Sequence, residues 1–178
     1  MNFSLYDLCV PHYLQIVGAT EGFLAKGAAH FKEKGVDPNS TMEARLFDDM
    51  LPFTFQIRAV VHHSLGALRG VQAGAFAPPG GTPPADYAGL QSLVTSAHAQ
   101  LKKVTPEEVN ACAGKDVIFT VRDMKLPFTA EGFLQSFSLP NFYFHATTAY
   151  DILRNKGVPV GKRDFLGRMK LKIGRAHV

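Results

Sequence analysis

The chain has 178 residues, enough for one domain with a substantial core, and its composition of 46% hydrophobic and 19% charged residues excludes a disordered protein. No apolar run is long enough to span a bilayer, so no membrane partner is expected. The net charge is +4, but six of the 19 basic residues follow residue 161; the rest is near neutral, and no nucleic-acid partner is expected.

The first half of the chain predicts two long helices. Apolar residues recur at three- and four-residue spacing over residues 3–34, and Pro11 inside this pattern predicts a kink or a restart. The second helix is predicted to begin at residues 40–43, where Ser and Glu have the spacing of a capping box. Its buried stripe continues to Leu68, and Pro52 predicts a bend.

A glycine- and proline-rich stretch over residues 73–84 predicts a loop within the same domain. The third helix is predicted over residues 86–103, where apolar residues alternate three and four apart, as in a bundle. A short extra turn is expected at residues 105–108, because Pro is tolerated in the first turn of a helix.

Residues 117–121 and 126–129 predict a β-hairpin, and the last helix follows over residues 130–156. Pro140 should bend this helix, and Gly157 should end it. The predicted fold is therefore mainly all-α: an up-down four-helix bundle with a small β-hairpin before the last helix.

Three polar residues are the candidate site. Asn141 and His145 lie four residues apart and share a face of the last helix, and His63 lies on the second helix. If the two helices pack together, the three side chains can meet in the interior. Cys9 and Cys112, the two cysteines, are expected to be buried in a reducing, cytoplasmic setting, and His12, His30 and His98 to face solvent or pack locally.

Three functions remain open for this cluster. Two neutral imidazoles suit a divalent metal such as Zn, Ni or Fe, although the Asn141 carbonyl is a poor third ligand. A water-filled pocket with His145 as a general base is the second. The third is a buried hydrogen-bond network that serves the core alone.

The C-terminal part carries a resemblance to a known family. The segments that carry it most strongly are LPNF at 139–142, FH at 144–145, TAY at 148–150, ILR at 152–154 and GKRDFLG at 161–167, with the earlier segments ARL at 44–46 and DMLPF at 49–53 and with Gln56. These residues resemble the DinB/YfiT-like family, a group carried as a domain of unknown function. The similarity extends over residues 1–167.

The resemblance implies a DinB-like four-helix bundle, often a homodimer. Relatives bind a divalent metal through three His, and some transfer thiol cofactors or isomerise maleylpyruvate. His63 matches the first position and His145 the last, whereas Asn141 stands in place of the other His. The expectations are thus a metal-dependent thiol transferase or isomerase using Zn or Ni with His145 as the catalytic residue, or a non-catalytic small-molecule-binding or structural dimer protein.

The last seven residues form a separate feature. One back-translation of residues 172–178, with the stop codon that follows, resembles a sequencing adapter read as coding DNA. We therefore expect a domain over residues 1–167 and a basic tail over 168–178, of which 172–178 is an assembly artefact rather than the natural terminus.

Overall fold

In a computed structural model, which describes residues 3–170, the chain begins with helix α1 (Leu5–Glu33). Ser4 caps this helix through a reciprocal pair of hydrogen bonds with Asp7. The predicted first helix is confirmed, but no restart occurs, since α1 continues unbroken through Pro11. Burial of Val10 and Tyr13 on either side of Pro11 stabilises the helix where the proline removes a main-chain hydrogen bond.

The prediction that the second helix begins at residues 40–43 is wrong. A 3-10 turn occupies Pro38–Thr41, and the Ser40 hydroxyl donates to the carbonyl of Asp37, so it does not cap a helix. Helix α2 (Phe53–Val61) begins only after Pro52. Its first amides donate to main-chain carbonyls of the segment over residues 42–44, which satisfies them without a capping side chain.

The second long helix then continues through a π turn. After the first π turn (His62–Gly66) the chain resumes as α3 (Ala67–Ala73), and Gly74 ends it with a φ of 69°. Strand β1 (Ala75–Phe76) follows, inside the segment that the sequence predicts as a loop.

Two further helices agree with their predictions. Helix α4 (Tyr87–Leu101) is capped by Asp86, whose carboxylate accepts from an amide of the first turn. Helix α5 (Pro106–Asn110) is the predicted short extra turn. Thr105 caps its N-terminus in a capping box with Glu108.

The predicted hairpin is confirmed as strands β2 (Asp116–Val121) and β3 (Met124–Thr129), which pair antiparallel. The structure adds β1, which pairs parallel to β2 and completes a three-stranded sheet in the order β1-β2-β3. Gly70 allows this sheet to approach α3, since a Cβ there would lie 2.8 Å from the ring of Phe76.

The last long helix is also built in parts. Thr129 caps α6 (Ala130–Gly132), the second π turn (Phe133–Ser138) follows, and α7 (Leu139–Asn155) completes the helix. The expanded turn stands directly before Pro140, where the sequence predicts a bend and where the proline offers no amide. Gly157, at a φ of 87°, follows its end as predicted, and α8 (Lys162–Leu166) was not predicted.

The long helices share one core. Helix α1 packs against α4 and α7, and α2 packs against α7 and α4. Buried aromatic side chains occupy the centre, among them Tyr13, Phe53, Tyr87 and Phe142. The fold is therefore mainly helical with a small three-stranded sheet. Within residues 3–170 no helix is both long and apolar enough to cross a membrane.

Candidate functional site

The packing of α2 and its π turn against α7 brings two predicted site residues together. His63 lies in the first π turn with 7% of its surface exposed, and His145 lies half-buried on α7. Their ring centroids are 5.8 Å apart and their planes differ by 18°. The predicted meeting of the two imidazoles is therefore observed.

His145 is fixed by a relay of hydrogen bonds. Its Nδ1 lies 2.7 Å from Oε1 of Gln56, and Nε2 of Gln56 donates to the carbonyl of Leu51 at 2.8 Å. The Leu51 carbonyl can only accept, so the Gln56 amide must present its nitrogen there and its oxygen to His145. His145 therefore carries its proton on Nδ1, and its Nε2 keeps a lone pair.

His63 is enclosed by aromatic rings. The rings of Phe76 on β1 and Phe137 in the second π turn lie 5.5 and 5.7 Å from its ring, and His62 lies 5.5 Å away. Its Nδ1 is buried and makes no hydrogen bond within residues 3–170. A buried polar atom without a partner is unfavourable, so this nitrogen is a marked feature of the site.

The two π turns meet at the site. The Ser138 hydroxyl, at the end of the second turn, donates to the carbonyl of His63 at 2.8 Å and accepts at 3.4 Å from the hydroxyl of Tyr13. These bonds join α1, the first π turn and the second π turn. π turns occur preferentially at functional sites, where they redirect side chains.

Both imidazoles are neutral at physiological pH. Burial, together with smaller contributions from the nearby His62 and His145, lowers the pKa of His63 to about 3. Burial alone lowers the pKa of His145 to about 4. A pKa this low makes His145 a weak proton acceptor near neutral pH, but it leaves the Nε2 lone pair available to a ligand.

Asn141 is not joined to the imidazole pair. It lies one turn before His145 on α7, and its Nδ2 donates to the carbonyl of Phe137 at 2.7 Å. Its Oδ1 makes no hydrogen bond within residues 3–170, so an amide oxygen is the donor it could offer to a ligand.

The two imidazoles are the side chains here that could hold a divalent metal ion, whereas Asn141 could offer only its amide oxygen. Two imidazoles on one tetrahedral ion at about 2.0–2.1 Å would have centroids roughly 5 Å apart, against the observed 5.8 Å between nearly parallel rings. Ligating His usually donates its other N–H to an oxygen, as His145 does to Gln56. However, residues 3–170 hold no group of three or more His, Cys or acidic side chains arranged around a metal.

Other polar candidates lie apart from this pair. Cys9 is buried, and burial raises the pKa of its thiol to about 12, so it is not a nucleophile at neutral pH. His12 bonds the hydroxyl of Tyr143, and Asp49 is exposed in the segment before α2. Two cavities of about 1000 and 390 Å³ lie elsewhere, and neither is lined by His63, Asn141 or His145.

The site and fold together define a mainly helical protein with two neutral, partly enclosed imidazoles between two long helices. Residues 5–166 match the model of the family described as Domain of unknown function (DUF1993). The chain belongs to that family. No curated protein matches the chain.

A solved structure agrees with this assignment. The chain is similar to a DinB family member protein from Shewanella denitrificans, with a TM-score of 0.78 and 25% sequence identity over 96% of each chain. The resemblance to a DinB-like domain of unknown function is thereby supported at the level of the family and its mainly helical fold.

Sequence reasoning missed two parts of the site. Gln56 is among the residues that carry the family resemblance, but its bond to His145, 89 residues away, was not predicted. The signal that could have found this bond is the seven-residue spacing between Gln56 and His63, because residues seven apart lie two turns apart on the same face of a helix. The π turns carry no signal that we recognise in the sequence, apart from Pro140.

Proposed function

We propose that this protein is a DinB-type, up-down four-helix bundle whose His63 and His145 bind a divalent metal ion, of which Zn or Ni fits imidazole ligands. Asn141 contributes at most its amide oxygen. The ion would therefore have two strong protein ligands, and its other coordination positions would be open. The observation that carries the proposal is the buried, unpartnered Nδ1 of His63 beside a second neutral imidazole at 5.8 Å.

The residues have separate tasks in this proposal. Gln56 holds the ring of His145 so that Nε2 faces away from the relay, and Leu51 holds Gln56. Phe76 and Phe137 exclude water from His63, which keeps it neutral. A bound divalent ion would act as a Lewis acid, which suits the thiol transfer or isomerisation that the family resemblance implies.

A second function, non-catalytic binding of a small molecule, is favoured by the Asn141–Phe137 hydrogen bond. That bond holds the Asn141 amide nitrogen on its own helix and leaves residues 3–170 without a third strong metal ligand. In this alternative the lone pair of His145 accepts a hydrogen bond from a ligand hydroxyl or thiol. Low metal affinity, with a stability that does not change when a chelator is added, would favour small-molecule binding over the metal site.

The experiment that separates the two is metal analysis of protein purified without a polyhistidine tag, followed by calorimetric titration with Zn²⁺ and Ni²⁺. A His63→Ala, His145→Ala double variant should abolish binding, and His12→Ala is the matched control because His12 is exposed and bonds Tyr143 instead. Equal metal binding by the double variant would contradict the metal proposal.

A homodimer belongs to the same proposal. Leu51 and Phe144 flank the Gln56–His145 pair in sequence and are 50% and 55% exposed, and Phe47 is 70% exposed. Exposed apolar surface of this kind is typical of contacts between proteins. Light scattering of Phe144→Ser protein, compared with the unchanged chain, tests whether this face holds a dimer together.

A further inference from the structure

His98 on α4 lies against α1, away from the His63–His145 pair. A cavity of about 1000 Å³ runs along α1 and is closed on one side by residues 167–170. Gln15 holds this wall in place by donating to the carbonyl of Leu166, and Lys26 pairs with Asp164 at 2.6 Å. These contacts attach α8, which leads directly into residues 167–170, to α1.

His98 stands at this cavity with a fixed orientation. Its Nδ1 lies 2.7 Å from Oε2 of Glu21, and the other oxygen of Glu21 accepts from Thr95 at 2.8 Å. The Glu21 carboxylate can only accept, so His98 donates from Nδ1. The hydrogen bonds from His98 and Thr95 keep the pKa of Glu21 low, which preserves the carboxylate.

Gly18 leaves room for the Cε1–Nε2 edge of the His98 ring. A Cβ at position 18 would lie 3.0 Å from Cε1 and 3.2 Å from Nε2 of His98, so the glycine provides the space in which this edge rests. Gly18 and His98 both line the cavity. Nε2 makes no hydrogen bond within residues 3–170; because Nδ1 carries the proton that bonds Glu21, Nε2 accepts on the neutral ring and donates to an anion from the imidazolium.

The charges around the cavity favour an anion. Lys102, Arg168 and Lys170 line it, whereas Asp7 is the one acidic residue of the lining. The Asp7 carboxylate already accepts two hydrogen bonds from Ser4 at the start of α1. Apolar side chains complete the lining, among them Pro11, Leu14 and Met169.

We propose that this cavity, which we call the His98 groove, binds an amphipathic organic anion, with its charged head at His98 and Lys102 and its apolar body along Pro11 and Leu14. The volume is at the upper end for ligand sites, and the mixture of an apolar lining with a few convergent polar groups is typical of them. The groove is separate from the His63–His145 pair, which lies between α2 and α7.

Octanoate is the probe for this proposal, and amide chemical shifts with calorimetry are the measurements. We expect octanoate to bind with a Kd of about 1 mM or tighter and to shift the amides of Gly18 and His98. Octanol and octylammonium should bind at least about tenfold more weakly, because the first has no charge and the second has the wrong sign. No octanoate binding, or equal binding of octanol, would overturn the proposal.

Variants locate the binding. Lys102→Glu should weaken octanoate about tenfold, whereas Lys103→Glu, the exposed neighbour that does not line the groove, should leave it unchanged. His98→Gln should weaken it as well, and His145→Gln should not. If both lysine variants lost binding equally, the attraction would come from net charge alone, and the groove would be excluded. Melting curves of each variant verify the fold.

Discussion

Nδ1 of His145 lies 2.7 Å from Oε1 of Gln56, and this bond leaves Nε2 of the same imidazole with a lone pair beside His63. Gln56 is itself 2% exposed, and the carbonyl of Leu51 accepts from its amide nitrogen, so its side chain is buried and fixed in orientation. The candidate site therefore depends as much on an amide of α2 as on the two histidines.

Gln56→Glu tests this relay. A carboxylate in hydrogen-bond contact favours a charged imidazole, so we expect the pKa of His145 to rise from about 4 by at least about one unit. Titration of the imidazole resonances by NMR measures this. Gln72→Glu is the control, since Gln72 is exposed on α3. An unchanged His145 titration in the Gln56 variant would show that the two side chains are not in contact.

Stability should fall in acid because of the two lowered pKa values. Below about pH 6.5 an unfolded imidazole takes up a proton, whereas folded His63 and His145 resist it until about pH 3 and pH 4. The unfolded chain therefore binds more protons in this window, and the free energy of unfolding drops as pH falls, by at most ~1.4 kcal/mol per unit for each group. Urea unfolding across this range measures the slope.

The matched variant is His145→Gln, which removes one of the two titrating groups and should reduce that slope. His12→Gln is the control. An equal slope in wild-type and His145→Gln protein would mean that His145 is not held neutral by the fold.

Ser138→Ala should destabilise the protein by about 1–2 kcal/mol, because the hydroxyl joins the carbonyl of His63 to the second π turn in a buried position. Ser136 lies in the same turn but is exposed and bonds only within its own helix. Ser136→Ala should therefore change stability by less than about 0.5 kcal/mol. Equal effects of the two variants, measured by urea unfolding, would remove the argument that the turns are joined through Ser138.

Asn141→His should strengthen metal binding. An imidazole one turn before His145 adds the third strong ligand that Asn141 does not supply, and we expect at least about a tenfold lower Kd for Zn²⁺. Asn155→His, at the exposed end of α7, is the control. An unchanged or weaker affinity in the Asn141 variant would indicate that position 141 does not face the ion.

Local sequence signals predicted the elements that local interactions form. Helices α1 and α4 and the β2–β3 hairpin agree with their apolar spacing, and the Asp86 and Thr105 caps lie where the helices begin. The failures come from distant or competing partners. Ser40 has the capping pattern, but its hydroxyl bonds Asp37 instead.

Local sequence patterns could not predict pairing between residues that are far apart in the chain. Strand β1 has two residues and exists through its pairing with β2, more than 40 positions later. The same holds for the sites: the approach of His63 to His145 followed from two amphipathic helices, whereas the Glu21–His98 pair spans 77 residues and was not predicted. The expected domain limits and the expected artefact over residues 172–178 stay predictions, and the latter lies outside the described residues.

The most direct test of the central claim is a Zn²⁺ titration of tag-free protein beside its His63→Ala and His145→Ala variants. We expect one ion per chain, with the Kd raised at least about tenfold by either substitution and unchanged by His12→Ala. Binding that is absent from the wild-type chain, or equal in all four proteins, would contradict a metal site at the imidazole pair.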